Sequence, residues 1–87
     1  MKKFEYTIKD ELGIHARPAG MLAKEAKQFG SQITIARKGE EKSVDVTRLM
    51  ALMGLAIKCG QTVEVSVEGE DEAVAFDAMQ KFFEANL

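Results

Sequence analysis

Apolar and polar residues alternate over residues 3–9, KFEYTIK, with Phe4, Tyr6 and Ile8 on one side and Lys3, Glu5, Thr7 and Lys9 on the other. A period of two marks a half-buried β-strand. Between residues 16 and 29 the period changes. Ala16, Ala19, Leu22, Ala23, Ala26 and Phe29 recur at spacings of three and four, while Lys24, Glu25, Lys27 and Gln28 cover the other side. This predicts an amphipathic helix, with Pro18 in the first turn, where its missing N–H costs nothing, and Gly30 as its stop. QITIAR, residues 32–37, alternates again. The polar run Lys38–Lys42 reads as a turn and SVDV, residues 43–46, as a short strand that completes a hairpin. Residues 47–57 predict a second helix with Thr47 as N-cap and Leu52, Leu55 and Ala56 facing inward. QTVEVSVE, residues 61–68, is the clearest strand, with Val63, Val65 and Val67 inward and Gly69 ending it. Glu70, Asp71 and Glu72 suit the positive end of a last helix, whose inner face takes Ala75, Phe76, Met79, Phe82 and Phe83.

The order is therefore β-α-β-β-α-β-α. Four strands with one apolar face need a cover, and three helices supply it, giving an α+β two-layer sandwich. The pattern does not fix the strand order; connections between parallel neighbours would be right-handed. Residues 1–87 contain no linker or repeat and suit a single domain. A chain of this size is expected to expose roughly 5,100 Å² when folded against roughly 13,900 Å² when open, enough for one modest core. Twelve basic and fourteen acidic side chains give a net charge of −2, without the basic bias of a nucleic-acid-binding protein. The chain has one His, one Pro, one Cys and no Trp. One His and one Cys cannot build a zinc site within one chain. One thiol forms no internal disulfide, which favours a reducing cytoplasmic setting. No segment is apolar for long enough to span a membrane, and Met1–Tyr6 lacks the apolar core of a signal peptide.

The only His and the only Pro lie together in Gly13-Ile14-His15-Ala16-Arg17-Pro18-Ala19-Gly20. His15 falls at the start of the first helix, where the N–H groups of Ala16 and Arg17 have no intrahelical partner. A helix start presents free donors and a positive dipole end, which is an anion site. Pro18 stiffens that turn, and Arg17 adds a permanent cation with a fork of donors suited to phosphate. Dipole and Arg17 both disfavour the protonated ring, keeping a nucleophilic nitrogen available at neutral pH. Phosphoryl transfer asks mainly for positioning and charge compensation, and these residues require no metal or other cofactor. On spacing alone a second reading stands, in which His15 is only a helix cap or surface residue. A Ser–His hydrolase is the weaker enzyme reading, because one helix-start His would have to serve Ser31, Ser43 or Ser66. Cys59 has no evident partner.

GIHARPAG followed by an amphipathic helix resembles the active-site segment of the HPr family, the histidine-containing phosphocarriers of the bacterial phosphoenolpyruvate-dependent sugar phosphotransferase system. The resemblance continues through QITI, SVDVTRLM, the Met- and Leu-rich short helix, VEVSVEGEDE and the last helix. It implies an open-faced β-sandwich, a four-stranded antiparallel sheet with three helices on one face. It implies that His15 accepts a phosphoryl group on Nδ1 from phosphorylated enzyme I and passes it to an enzyme IIA domain of a sugar permease, with Arg17 stabilising it. Such a protein is a carrier turned over by its partners. It also implies a docking surface on Ala16, Ala19 and Gly20 of the first helix and on Arg48, Leu49, Met50 and Met53 of the second. Leu49, Met50 and Met53 do not all fit the inward face of that helix, so an exposed, adaptable patch is one reading and core gap-filling by methionine is the other.

The chain departs from the family in three places. Aligned through Val44 and Met50, Arg48 stands where many Gram-positive members carry a regulatory Ser, the target of a dedicated HPr kinase; Thr47 is one residue away. No phosphorylation by that route is expected here. The hairpin around Lys38–Glu41 is longer by about two residues against the usual loop lengths, and Ala56 stands where the family often has Gly. The alternative to a carrier is a regulatory or nitrogen-type paralog on the same fold, acting as a protein-binding module.

Overall fold

The computed structural model describes residues 1–87. Its elements follow the expected order: β1 Lys2–Thr7, α1 Ala16–Ala26, β2 Gln32–Arg37, β3 Val44–Asp45, α2 Leu49–Gly54, β4 Thr62–Glu68 and α3 Glu72–Asn86. The strands form one sheet in the order β1-β4-β2-β3. Every neighbouring pair is antiparallel, with Phe4 opposite Val65, Ile33 opposite Val67 and Ile35 opposite both Val65 and Val44. No parallel neighbours occur, so the handedness rule for parallel crossovers has nothing to act on.

The period of two places Val63, Val65 and Val67 of the central strand on the helix side, where each is fully buried. Burying a side chain of that kind contributes about 1.5–3 kcal/mol. Ile33, Ile35, Leu22, Leu52, Met79 and Phe83 close over them in one continuous core. Phe83 meets Phe4 and Tyr6 edge to face at 5.6 Å, and Phe76 meets Phe4 at 5.5 Å. These rings tie α3 to β1, because edge-to-face pairs contribute about 0.5–1.5 kcal/mol beyond burial. The opposite sheet face is polar, with Lys3 near Glu64 and Lys38 near Glu5. The exposed surface is 5171 Å², close to the size-based expectation.

Several local expectations are corrected. β1 ends at Thr7 because the chain turns away: the N–H groups of Lys9 and Asp10 donate to the main-chain oxygen of Leu87 at 2.6 and 2.8 Å. α1 stops at Ala26 rather than Phe29, and Ala16 in its first turn is exposed. Gly30 does not terminate the helix; its N–H donates to Asp71 Oδ2 at 2.9 Å. Ser31 donates to the other oxygen of the same carboxylate, fastening the end of α1 to the start of α3. Gly69 has φ +156°, and a Cβ there would press on Ser31. α2 begins later than expected, with Arg48 as its N-cap. Thr47 does not cap it, because the Thr47 N–H and hydroxyl both donate to Asp45 Oδ1, at 2.8 and 2.6 Å. Ala56 does not face inward: it is exposed and has φ +52°.

Candidate functional site

His15 is the N-cap of α1, in an extended conformation with φ −103° and ψ −177°. Its carbonyl accepts the N–H of Ala19 at 2.9 Å, which starts the helix. Its side chain makes no capping hydrogen bond. His15 is thus a cap by position only, and the imidazole is left unengaged by the helix. The N–H groups of Ala16 and Arg17 lie ahead of the first helical bond and have no intrahelical acceptor.

The backbone on both sides of the imidazole is pinned. Before it, Ile14 is buried and donates its N–H to the Ile57 carbonyl at 3.0 Å. Gly13 has φ +68°, and a Cβ at that position would collide with the Ile57–Lys58 backbone. Glycine is required here both for the left-handed conformation and for the close approach. After it, Pro18 is buried and fixes the first turn. The imidazole itself is 36 % exposed, open to a partner without being loose in solvent.

Arg17 is exposed and takes part in none of the ion pairs of the fold. Its guanidinium is a free cation two residues from the imidazole. The carboxylate of Asp10 stands near the imidazole, its Oδ1 4.0 Å from His15 Nε2. The same oxygen accepts the Leu12 N–H at 2.9 Å. Asp10 has no signature in the sequence; the turn alone brings it to the imidazole. No group of three or more His, Cys, Asp or Glu side chains comes together in a way that could hold a metal. Cys59 is exposed, and its Sγ faces only the Lys9 carbonyl at 3.8 Å.

α2 presents a second feature. Leu52 is buried, while Leu49, Met50 and Met53 are exposed, Met50 to 82 %. Met50 therefore fills no gap in the core, while Met53 is partly covered and partly open. Arg48, Leu49, Met50 and Ala51 line a shallow open depression. On α1, Ala16 is exposed and Gly20 half-buried. Ala19 is a correction: it is wholly buried under the helix and offers no surface to a partner. Met21, exposed to 45 %, was not anticipated; four residues after Arg17, it shares that residue's helix face.

A family model described as "PTS HPr component phosphorylation site" matches residues 2–85. The phosphocarrier protein HPr of Lysinibacillus sphaericus is 44 % identical over 79 residues, covering 91 % of this chain and 88 % of the relative. The HPr-like protein Crh of Halalkalibacterium halodurans is 38 % identical over 84 residues, 97 % of this chain and 98 % of the relative. The crystal structure of an HPr from Thermoanaerobacter tengcongensis superposes with a TM-score of 0.89 at 35 % identity, covering 98 % of this chain and 93 % of that one.

Proposed function

The chain belongs to the HPr family of phosphocarriers in the phosphotransferase system, and on that premise we propose that its phosphoryl group is carried on Nδ1 of His15. Members of this family carry a phosphoryl group and are turned over by partner proteins; they are not themselves catalysts. The observation that supports His15 as the acceptor is its setting. The only imidazole in the chain stands at the N-cap position of α1 with its side chain free, beside two unpaired N–H groups and an unpaired arginine.

The chemistry follows from that setting. A neutral imidazole approaches phosphorus with the Nδ1 lone pair. The phosphoryl oxygens then lie toward the positive end of α1, where the N–H groups of Ala16 and Arg17 are directed. The Arg17 guanidinium offers a planar fork of donors to the same oxygens. Little covalent work is asked of the protein, because phosphoryl transfer depends mainly on alignment and on compensating charge already in place. The rigid turn from Gly13 to Pro18 supplies the alignment.

We assign enzyme I as the phosphoryl donor and an enzyme IIA domain of a sugar permease as the acceptor, with the relay in the cytoplasm. No helix is long and apolar enough to cross a membrane. Both partners would use one face: Ala16, Gly20 and Met21 of α1, and Arg48, Leu49, Met50 and Met53 of α2. Exposed methionines suit a surface that repacks against different partners. A purely regulatory, Crh-like role is disfavoured by the presence of both His15 and Arg17. Arg48 supplies no hydroxyl, and the Thr47 hydroxyl is engaged by Asp45, so no phosphorylation by an HPr kinase is expected at the start of α2. The relay is tested by mixing the protein with enzyme I, labelled phosphoenolpyruvate and an enzyme IIA domain. Label should pass through the chain to the IIA domain, and His15→Ala should stop it; passage of label through His15→Ala would reject the assignment.

A further inference from the structure

We infer that Asp10 is a positioning residue for the phosphoryl transfer, holding the His15 proton on Nε2 so that Nδ1 meets phosphorus with a free lone pair. The inference rests on the reading of His15 as the phosphoryl acceptor. It begins from the 4.0 Å separation between Asp10 Oδ1 and His15 Nε2. The carboxylate faces that ring nitrogen, the one not assigned to the phosphoryl group.

Asp10 is held where it stands from three sides. Its N–H donates to the main-chain oxygen of Leu87 at 2.8 Å, and its carbonyl accepts the Gly13 N–H at 2.9 Å. Its Oδ1 accepts the Leu12 N–H at 2.9 Å. A carboxylate oxygen accepts more than one hydrogen bond, so the turn leaves capacity for the imidazole. His15 is fixed in turn by Ile14 and Pro18, both buried. The two side chains are therefore opposed by backbone geometry, not by a chance meeting of mobile groups. A separation of 4.0 Å is longer than a hydrogen bond, but such contacts are often long before a reaction partner docks and shorten in the reacting complex.

The charge balance explains what the carboxylate does. The Nδ1 lone pair forms the new N–P bond. The bond from phosphorus to the donor group of enzyme I breaks, and its electron pair returns to the donor. No proton moves, so the ring keeps its Nε2 proton and becomes a phosphorylated imidazolium. Positive charge thus develops on the ring as the transfer proceeds. A negative charge 4.0 Å from Nε2 opposes it favourably at that moment. It also favours the neutral tautomer that carries the proton on Nε2, because a proton on that nitrogen is attracted to the carboxylate and a bare nitrogen lone pair there would be repelled by it. Both side chains are about a third exposed, and at that exposure a charge pair at this distance alters a rate by about five-fold.

The test uses Asp10→Asn, which removes the charge and keeps an oxygen for the Leu12 N–H, with Glu11→Gln as a charge control outside the contact. The first readout is the ¹⁵N chemical shifts of the single imidazole in the unphosphorylated protein, above the pH at which the ring is protonated. The original chain should show the proton on Nε2, and Asp10→Asn should move toward the tautomer mixture of a free imidazole. The second readout is the rate of phosphoryl uptake from phosphorylated enzyme I, expected to fall about five-fold in Asp10→Asn and to stay unchanged in Glu11→Gln. Identical ¹⁵N shifts in the original chain and Asp10→Asn would overturn the inference, as would equal uptake rates. If the original chain takes up no phosphate at all, the carrier reading fails; the tautomer measurement still decides whether Asp10 sets the ring.

Discussion

Replacing Ala56 by Gly should stabilise the protein, although it removes a methyl group and adds flexibility. Ala56 follows Leu55, the C-cap of α2, and has φ +52°. It is the only non-glycine residue with positive φ in the chain. There the Cβ of an L-residue crowds the following carbonyl, at a cost of roughly 1–2 kcal/mol. This is also the position after a helix where glycine is most favoured. Glycine relieves the crowding but gives the unfolded chain more freedom, an opposing effect of about 0.4–1 kcal/mol. The methyl is exposed, so little burial is lost with it. The difference is a gain of roughly 0.5–1 kcal/mol, which for a domain of this size raises Tm by roughly 2–8 °C. Thermal unfolding followed by circular dichroism measures it, with urea unfolding to check that the m-value is unchanged. Ala56→Asn should fall between Ala and Gly, since Asn tolerates this conformation, and Ala56→Val should lie below Ala. A Gly variant with unchanged or lower Tm would refute the assignment of strain to this residue.

Three further outcomes follow from the same structure. Arg17→Ala should slow phosphoryl uptake by about ten-fold, as expected for one exposed hydrogen bond to a charged group, while leaving Tm nearly unchanged, because Arg17 is exposed and pairs with no carboxylate; this is read from uptake kinetics beside a melting curve. Met50→Asp should weaken enzyme I docking, raising KM more than it lowers kcat, with no loss of fold, since the side chain stands 82 % exposed. The third concerns acid. Asp71 is held below its ordinary range first by the Ser31 hydroxyl and then by the Gly30 N–H, and Glu72 first by the Gly69 N–H and then by the α-amino group of Met1. Carboxyls lowered in the folded state stabilise it above their unfolded values, and this contribution is lost as pH falls through the folded ones. The urea midpoint should therefore hold from neutral pH to about 5 and fall below about 4. Asp71→Asn should lower the midpoint at pH 7 and make the acid fall shallower; a slope equal to that of the original chain would show that Asp71 does not carry it.

The sheet and its cover were legible because two periods dominate the chain. Val63, Val65 and Val67 alternate without interruption, and the inward stripe of α3 carries Phe76 and Phe83, whose rings meet β1. Strand order was not legible from alternation, which says which face of a strand is buried and nothing about its neighbours; the family resemblance supplied the antiparallel arrangement, and the order β1-β4-β2-β3 appears only in the structure. The ends of α2 were misread for chemical reasons. Thr47 has the side chain of an N-cap, but Asp45 holds its hydroxyl and shifts the cap to Arg48. Ala56 fits the inward spacing, but the helix has ended before it. His15 and Arg17 were visible because the single imidazole, the single proline and an arginine converge on one helix start. Ala19 fits both the inward spacing of α1 and the docking face implied by the resemblance, and burial decides for the core. Asp10 was out of reach because its part depends on a turn that brings residues five apart into opposition, and turn geometry leaves no periodic trace.

The assignment of the phosphoryl group to His15 is tested most directly by mapping the phosphate after reaction with enzyme I and phosphoenolpyruvate. Mass spectrometry of the intact chain should show one added phosphoryl group, lost in acid and kept in base, and peptide mapping should place it on the segment containing His15. Histidine occurs once, so the position is unambiguous. A phosphate that survives acid, or one that maps to Ser43 or Thr47 while the His15 segment stays unmodified, would contradict the assignment.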